Sequence, residues 1–141
     1  MKPYEIIEHT ADVGLKVYSP SLKELFENAA RGMFEIIAGK YYGEKIDIQK
    51  SIHIKKEVDA FEELLVDWLS ELLYIFNKEK ILFRDFNVLE LNYNGLSGIA
   101  SGRSIDFRYA NLRTEIKAVT FHNLKIEENE KGFSCGIIFD V

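Results

Sequence analysis

Cysteine is almost missing from this chain. Cys135 stands alone, which excludes an intrachain disulfide and any cysteine-cluster zinc site. A reducing compartment, and hence a cytoplasmic protein, is the expectation. Long apolar runs are also missing. Charge interrupts every apolar cluster within a few residues, so no stretch spans a bilayer, and residues 1–9 hold no export segment. The formal charge is -5 with histidine neutral. No basic face is visible in sequence order, so direct, high-affinity binding to nucleic acid is not expected. A role in RNA metabolism would run through a protein partner.

Familiar catalytic signatures are missing as well. There is no P-loop and no dinucleotide-binding glycine loop. Gly95, Gly98 and Gly102 fall in a strand-turn-strand context, which suits neither. There is no His-x-x-x-His pair, no EF-hand loop and no Gly-x-Ser-x-Gly elbow. Cys135 alternates with Phe133 and Ile137, the pattern of a small buried hydrophobe rather than a nucleophile.

What is present is the material of one domain over residues 1–141. A chain of this size buries roughly two thirds of its unfolded surface without a metal or disulfide. Tyr4 to Glu8 reads as a short strand. After a polar interruption at residues 9–12, Val13, Leu15 and Val17 alternate with Gly14, Lys16 and Tyr18 as a half-buried strand. Pro20 stops it. Ser21 and Glu24 form a capping-box pattern for a first helix. Its apolar face is Leu22, Leu25, Phe26, Ala29, Met33, Ile36 and Ile37, with Gly39 as its terminator. Gly32 costs about 1 kcal/mol of helix propensity against alanine, which suggests close packing against a neighbour.

Residues 40–45 read as a linker. Ile46, Ile48, Ile52 and Ile54 share one parity of a long strand, bent or at an edge near Lys50. A second capping-box pattern, Asp59 with Glu62, opens a second helix. Its stripe is Phe61, Leu64, Leu65, Trp68, Leu69, Leu72, Leu73 and Phe76. Each fully buried large side chain in it contributes ~1.5–3 kcal/mol, so truncating Trp68 or Leu69 should be costly. Phe86 to Tyr93 and Leu96 to Ile105 flank Asn94-Gly95 as a hairpin. Residues 103–113 are polar and carry no clear period. Glu115 to Glu127 resumes strand character, 129–132 is a turn, and Phe133, Cys135, Ile137 and Phe139 alternate to the end. The expected fold class is α+β: a two-layer domain with a mixed or mostly antiparallel sheet covered by two amphipathic helices.

Two places invite chemistry. His9 to Gly14 interrupts a strand pattern with small and polar residues. One reading is a turn with Asp12 bonded to local amides. The other makes Asp12 an oxygen ligand for a hard cation. At the far end, an apolar strand finishes in Asp140 and the carboxylate of Val141. A frayed, solvated tail is the plain reading. If ordered, clustered carboxylates need a cation or basic side chain to offset them. Periodicity alone does not bring the two ends together. Lys117 and His122 lie on opposite parities of a regular strand and converge only across a bulge. Each is ordinary as a surface residue, although Lys117 can neutralise a carboxylate and His9 or His122 can titrate beside one. Asp106 and Arg108 read as a surface pair worth little.

Several runs together resemble one family, archease: His9-Thr10-Ala11-Asp12-Val13-Gly14, the Ser21 to Ala30 start of the first helix, Asp59 to Leu73, Ile116-Lys117-Ala118-Val119-Thr120-Phe121-His122, and Phe139-Asp140-Val141. The resemblance covers nearly the whole chain in the same order. It implies a small α/β or α+β domain that is not itself an enzyme. The implied role is an activator of an RtcB-type RNA ligase in tRNA splicing, promoting ligase guanylylation and turnover. It also implies a metal, Ca²⁺ or another divalent cation, among acidic groups near the joined chain ends. Carried over by position, Asp12, Asp140 and the terminal carboxylate of Val141 are the metal ligands, and His9, Lys117 and His122 support the site or contact the partner. Arg103 departs from the pattern of many relatives, which have an acidic residue after Gly102. No further acidic ligand is therefore expected there. Two rival classes are a stand-alone metal-dependent hydrolase, which needs a metal-bound water, and a chaperone-like module, which needs an exposed apolar patch.

Overall fold

The computed structural model describes residues 2–39 and 45–141. The linker expected at 40–45 therefore lies, apart from Lys45, outside the described residues. Strands β1 (Tyr4–Glu8) and β2 (Asp12–Ser19) form an antiparallel hairpin. Helix α1 (Leu22–Ala38) follows. Ser21 caps it as expected: its hydroxyl accepts the Glu24 amide at 3.3 Å. Gly39 ends it with φ 90°, its N–H donating to the Glu35 carbonyl at 2.7 Å. Gly32 is indeed a packing glycine. A Cβ there would lie 2.7 Å from both Leu15 methyls, so its absence lets α1 settle on β2.

Strand β3 (Ile48–Lys55) is an edge strand, and Lys50 is ion-paired with Glu79 at 2.6 Å. Ile46 lies outside it and is exposed. Helix α2 (Phe61–Glu79) carries the expected apolar stripe, with Leu64, Leu65, Trp68, Leu69 and Leu72 at 0 % exposure. The expected Asp59–Glu62 capping box does not form. The N-cap is Ala60, one residue later, with no side-chain hydrogen bond. This shift makes Glu63 the third helical residue, and its carboxylate takes the Asp59 amide at 3.3 Å. Glu62 is left to accept the Ile126 amide at 2.9 Å, fastening a distant loop to the helix. Lys80 then adopts a left-handed conformation, and the chain enters a strand at once.

Strand β4 (Ile81–Asn92) begins five residues earlier than its periodicity indicates, and β5 (Gly95–Ser104) returns beside it. The turn residues are Tyr93 and Asn94. The positive φ, 145°, belongs to Gly95, and Asn94 keeps a negative φ. The stretch 115–127 contains less strand than expected. Only β6 (Ala118–Val119) and the first residue of β7 (Glu127–Asn129) fall within it. Asn123, at φ 55°, and a Leu124 N–H to Phe121 carbonyl bond of 3.0 Å turn the chain between them. β7 and β8 (Gly132–Asp140) form the closing hairpin across residues 130–131.

The result is an α+β fold. Its strands divide into two antiparallel sheets, ordered β1-β2-β8-β6 with β7 also on β8, and β3-β5-β4. Helix α1 packs on β1, β2 and β8 of the first sheet and on β4 of the second, and α2 packs on β3, β4 and β5. Where the helices meet, the buried Trp68 indole donates to the Phe26 carbonyl at 3.0 Å, so its one polar atom is satisfied. Phe34 lies edge-on to Phe76 and Phe83 and stacked on Phe86. None of the described helices is long and apolar enough to cross a membrane.

Candidate functional site

The pairing of β2 with β8 brings Asp12 and Asp140, far apart in sequence, opposite each other. Its register runs without interruption from Ser19↔Phe133 to Asp12↔Asp140. Directly opposed residues project from the same face of a sheet. Val13, Leu15 and Val17 oppose Phe139, Ile137 and Cys135 toward the core. The other parity, Asp12, Gly14 and Lys16 against Asp140, Ile138 and Gly136, therefore faces outward. Asp12 is half-buried and Asp140 exposed. The residues between β1 and β2 form a tight turn, with the His9 N–H donating to the Asp12 carbonyl at 3.1 Å. The expected turn and the expected acidic end are thus one place.

On the other side of β8, Ala118 opposes Asp140, and the Lys117 N–H donates to the Asp140 carbonyl at 2.7 Å. Lys117 is therefore anchored through its backbone, and its side chain is exposed. The chain then leaves the sheet. Thr120 binds the Ile138 carbonyl through both its N–H, at 3.1 Å, and its hydroxyl, at 2.9 Å. The same hydroxyl accepts the His122 N–H at 3.2 Å. Strand parity does not decide where His122 goes, because β6 is only two residues long. The turn carries it back over the sheet. His9, Asp12 and His122 line one shallow groove of about 210 Å³, whose floor includes Ile7, Gly14, Gly136 and Ile138.

Asp12 and Asp140 offer carboxylate oxygens, the donor chemistry that suits a hard cation such as Ca²⁺. Among the described residues, no group of three or more His, Cys, Asp or Glu side chains is arranged to hold a metal ion. A cation here would accordingly depend on the main-chain carboxylate of Val141 as well as on Asp12 and Asp140.

Other suspected residues prove structural. Cys135 is buried, and that burial, with a smaller contribution from the Glu62 charge, pushes its thiol up to about 12. It is a protonated core residue, not a nucleophile. Arg108 grips Asp106 through two guanidinium hydrogen bonds of 2.8 and 3.1 Å, which hold the Asp106 carboxyl below its usual range. Both are surface residues of a polar loop. Sequence reasoning missed Phe121, which is 56 % exposed, and the groove floor. A signal was available: Ile138 is an apolar residue on the outward parity of the last strand.

The archease protein family (MTH1598/TM1083) matches residues 4–141. Protein archease of Methanosarcina barkeri is 38% identical over 144 residues, covering 99% of this chain and 97% of that one. The solution structure of Methanobacterium thermoautotrophicum protein 1598 superposes with a TM-score of 0.84 at 37% identity, covering 100% of both chains. A Thermotoga maritima crystal structure described as an archease, possible chaperone, shares the fold, with a TM-score of 0.59 at 22% identity over 96% of this chain and 94% of that one.

Proposed function

Because this chain belongs to the archease family, we propose that it is a protein activator of an RtcB-type RNA ligase, promoting ligase guanylylation and turnover in tRNA splicing without itself being the enzyme. The observation that supports this reading is the Asp12↔Asp140 cross-strand pair. Like charges directly opposed in a sheet are destabilising. Two carboxylates placed this way at one end of the β2–β8 pair call for a positive counterpart from outside the fold. Asp12, Asp140 and the Val141 carboxylate would hold a hard divalent cation, which would offset their mutual repulsion and leave the face acidic. The acidic end is complementary to the active centre of an enzyme that binds metal and RNA. Such complementarity orients the encounter and speeds it. Lys117 fixes the backbone of Asp140, and His9 and His122 border the same face.

The test is guanylate incorporation into the purified cognate ligase with wild-type, Asp12→Ala or Asp140→Ala protein, alongside calorimetric titration of the protein alone with Ca²⁺. Both variants are expected to remain folded, because neither side chain belongs to the core, and to lose the stimulation. Full stimulation by both variants would refute the acidic site.

A further inference from the structure

The outward face of the first sheet carries a feature that folding does not require. Gly136 sits in mid-strand in β8, opposite Lys16, and a Cβ built there meets no atom within 4 Å. Its φ is not in the left-handed range. Neither crowding nor backbone conformation calls for glycine at this position. Strand glycines weaken a sheet, and they often mark places where another molecule comes close. At Gly14, diagonally across on β2, a Cβ would meet only ordinary contacts, with Ile7 and the Ile137 carbonyl. The two glycines lower the floor of the 210 Å³ groove between Ile7 and Ile138.

The rim is held in place. β6 leaves β8 at Phe139 and β7 rejoins it at Ser134, so residues 120–126 span the gap beside Gly136. Thr120 pins the start of that span to Ile138, and the Ile126–Glu62 bond pins its end. Between these anchors the turn presents Phe121 to solvent. An exposed aromatic on an anchored turn, next in sequence to the groove-lining His122, has the form of a binding hot spot.

We infer that this glycine-floored groove receives one apolar side chain of the RNA ligase, with Phe121 packing against the ligase surface beside it. The inference rests on the reading above that the ligase is the partner. Asp12 borders the groove at one end and Lys16 at the other, and Asp140 stands opposite Asp12 on the same face, so the occupant is an aliphatic or aromatic residue with a lysine or arginine on the side toward Asp12. The site divides into two halves. The carboxylates carry the activating effect, and the groove and Phe121 carry affinity.

Two variants separate the halves from each other and from folding. Gly136→Leu fills the groove from a position with free space, and Phe121→Ser removes the exposed ring. Each is compared with Asp12→Asn for melting temperature, for the Kd of the ligase complex, and for guanylate incorporation at saturating protein. Gly136→Leu and Phe121→Ser are expected to melt like wild type, to raise Kd at least about tenfold, and to retain most of the stimulation at saturation. Asp12→Asn is expected to lose stimulation at saturation. Wild-type affinity in both groove variants would overturn the inference while leaving the acidic reading standing. Failure of the wild-type protein to bind the ligase would overturn both. A wild-type homodimer that Gly136→Leu dissociates would show that the occupant is a second copy, and would also overturn the inference.

Discussion

Gly102 in β5 and Gly136 in β8 occupy similar positions in the two sheets, each in mid-strand among alternating residues, yet they stand in opposite surroundings. A Cβ at Gly102 would overlap the Leu82 carbonyl and lie 2.7 Å from the Phe83 Cα. At Gly136 it would meet nothing within 4 Å. The difference follows from the strands beside them. β4 slips register between Phe83 and Asp85, next to Gly102, and the bulge drives its backbone toward β5. β2 and β8 pair over eight residues with no slip. Gly102 is a condition of the fold, whereas Gly136 is a vacancy on its surface. The smaller sheet uses its irregularities to pack, and the larger one is regular where it carries the candidate site.

The comparison is sharpest at Gly102 itself. Gly102→Ala is expected to lower the stability of the protein by ~3 kcal/mol or more, through overpacking against backbone that cannot rotate away. The urea midpoint reads this directly, and an unchanged midpoint would mean that the bulge can relax. A smaller effect is expected at the second bulge of β4, between Val88 and Glu90. There the Glu27 carboxylate accepts the Val88 amide at 2.8 Å, and one turn earlier Lys23 donates to the Leu89 carbonyl at 2.9 Å. Glu27→Ala leaves a half-buried N–H without its acceptor and is expected to cost about 1–2 kcal/mol. Hydrogen exchange at Val88 should accelerate while exchange along β2 and β8 stays as in the wild type. Equal acceleration in both sheets would show that they unfold as one unit and would remove the local role given to Glu27.

Local rules made much of this fold readable. Ser21 capped where a capping serine belongs, the α2 stripe was unbroken from Phe61 to Phe76, and Asn94-Gly95 marked the β4–β5 hairpin. The errors were also local. Ala60 took the cap as Glu63, not Glu62, reached back, and a β-rich sequence at 115–127 yielded one two-residue strand and the first residue of another, because Thr120 and Asn123 turn the chain. The Asp12–Asp140 pairing was of another kind. No periodicity encodes the meeting of residues 128 positions apart. It entered as an expectation through family resemblance, and its geometric cause is the β2–β8 register. The groove was illegible for a further reason: the alternation of Phe133, Cys135, Ile137 and Phe139 says nothing of Gly136 between them, and whether a glycine is crowded or open depends on neighbours distant in sequence.

Gly136→Ala should produce the smallest effect, and it can break the comparison altogether. In a strand interior glycine is less favourable than alanine by roughly 0.5–1 kcal/mol, because the unfolded chain loses more freedom on ordering. At a site where the added methyl touches nothing, that gain is unopposed by strain. The variant is expected to be as stable as the wild type or more stable, by up to about 1 kcal/mol. The methyl fills only a small part of a 210 Å³ groove, so ligase affinity should fall far less than in Gly136→Leu. Destabilisation by more than about 1 kcal/mol, measured by the same urea transition, would show that the fold itself needs glycine here. Gly136 would then be a second Gly102, and the groove would be a consequence of packing rather than room kept for a partner.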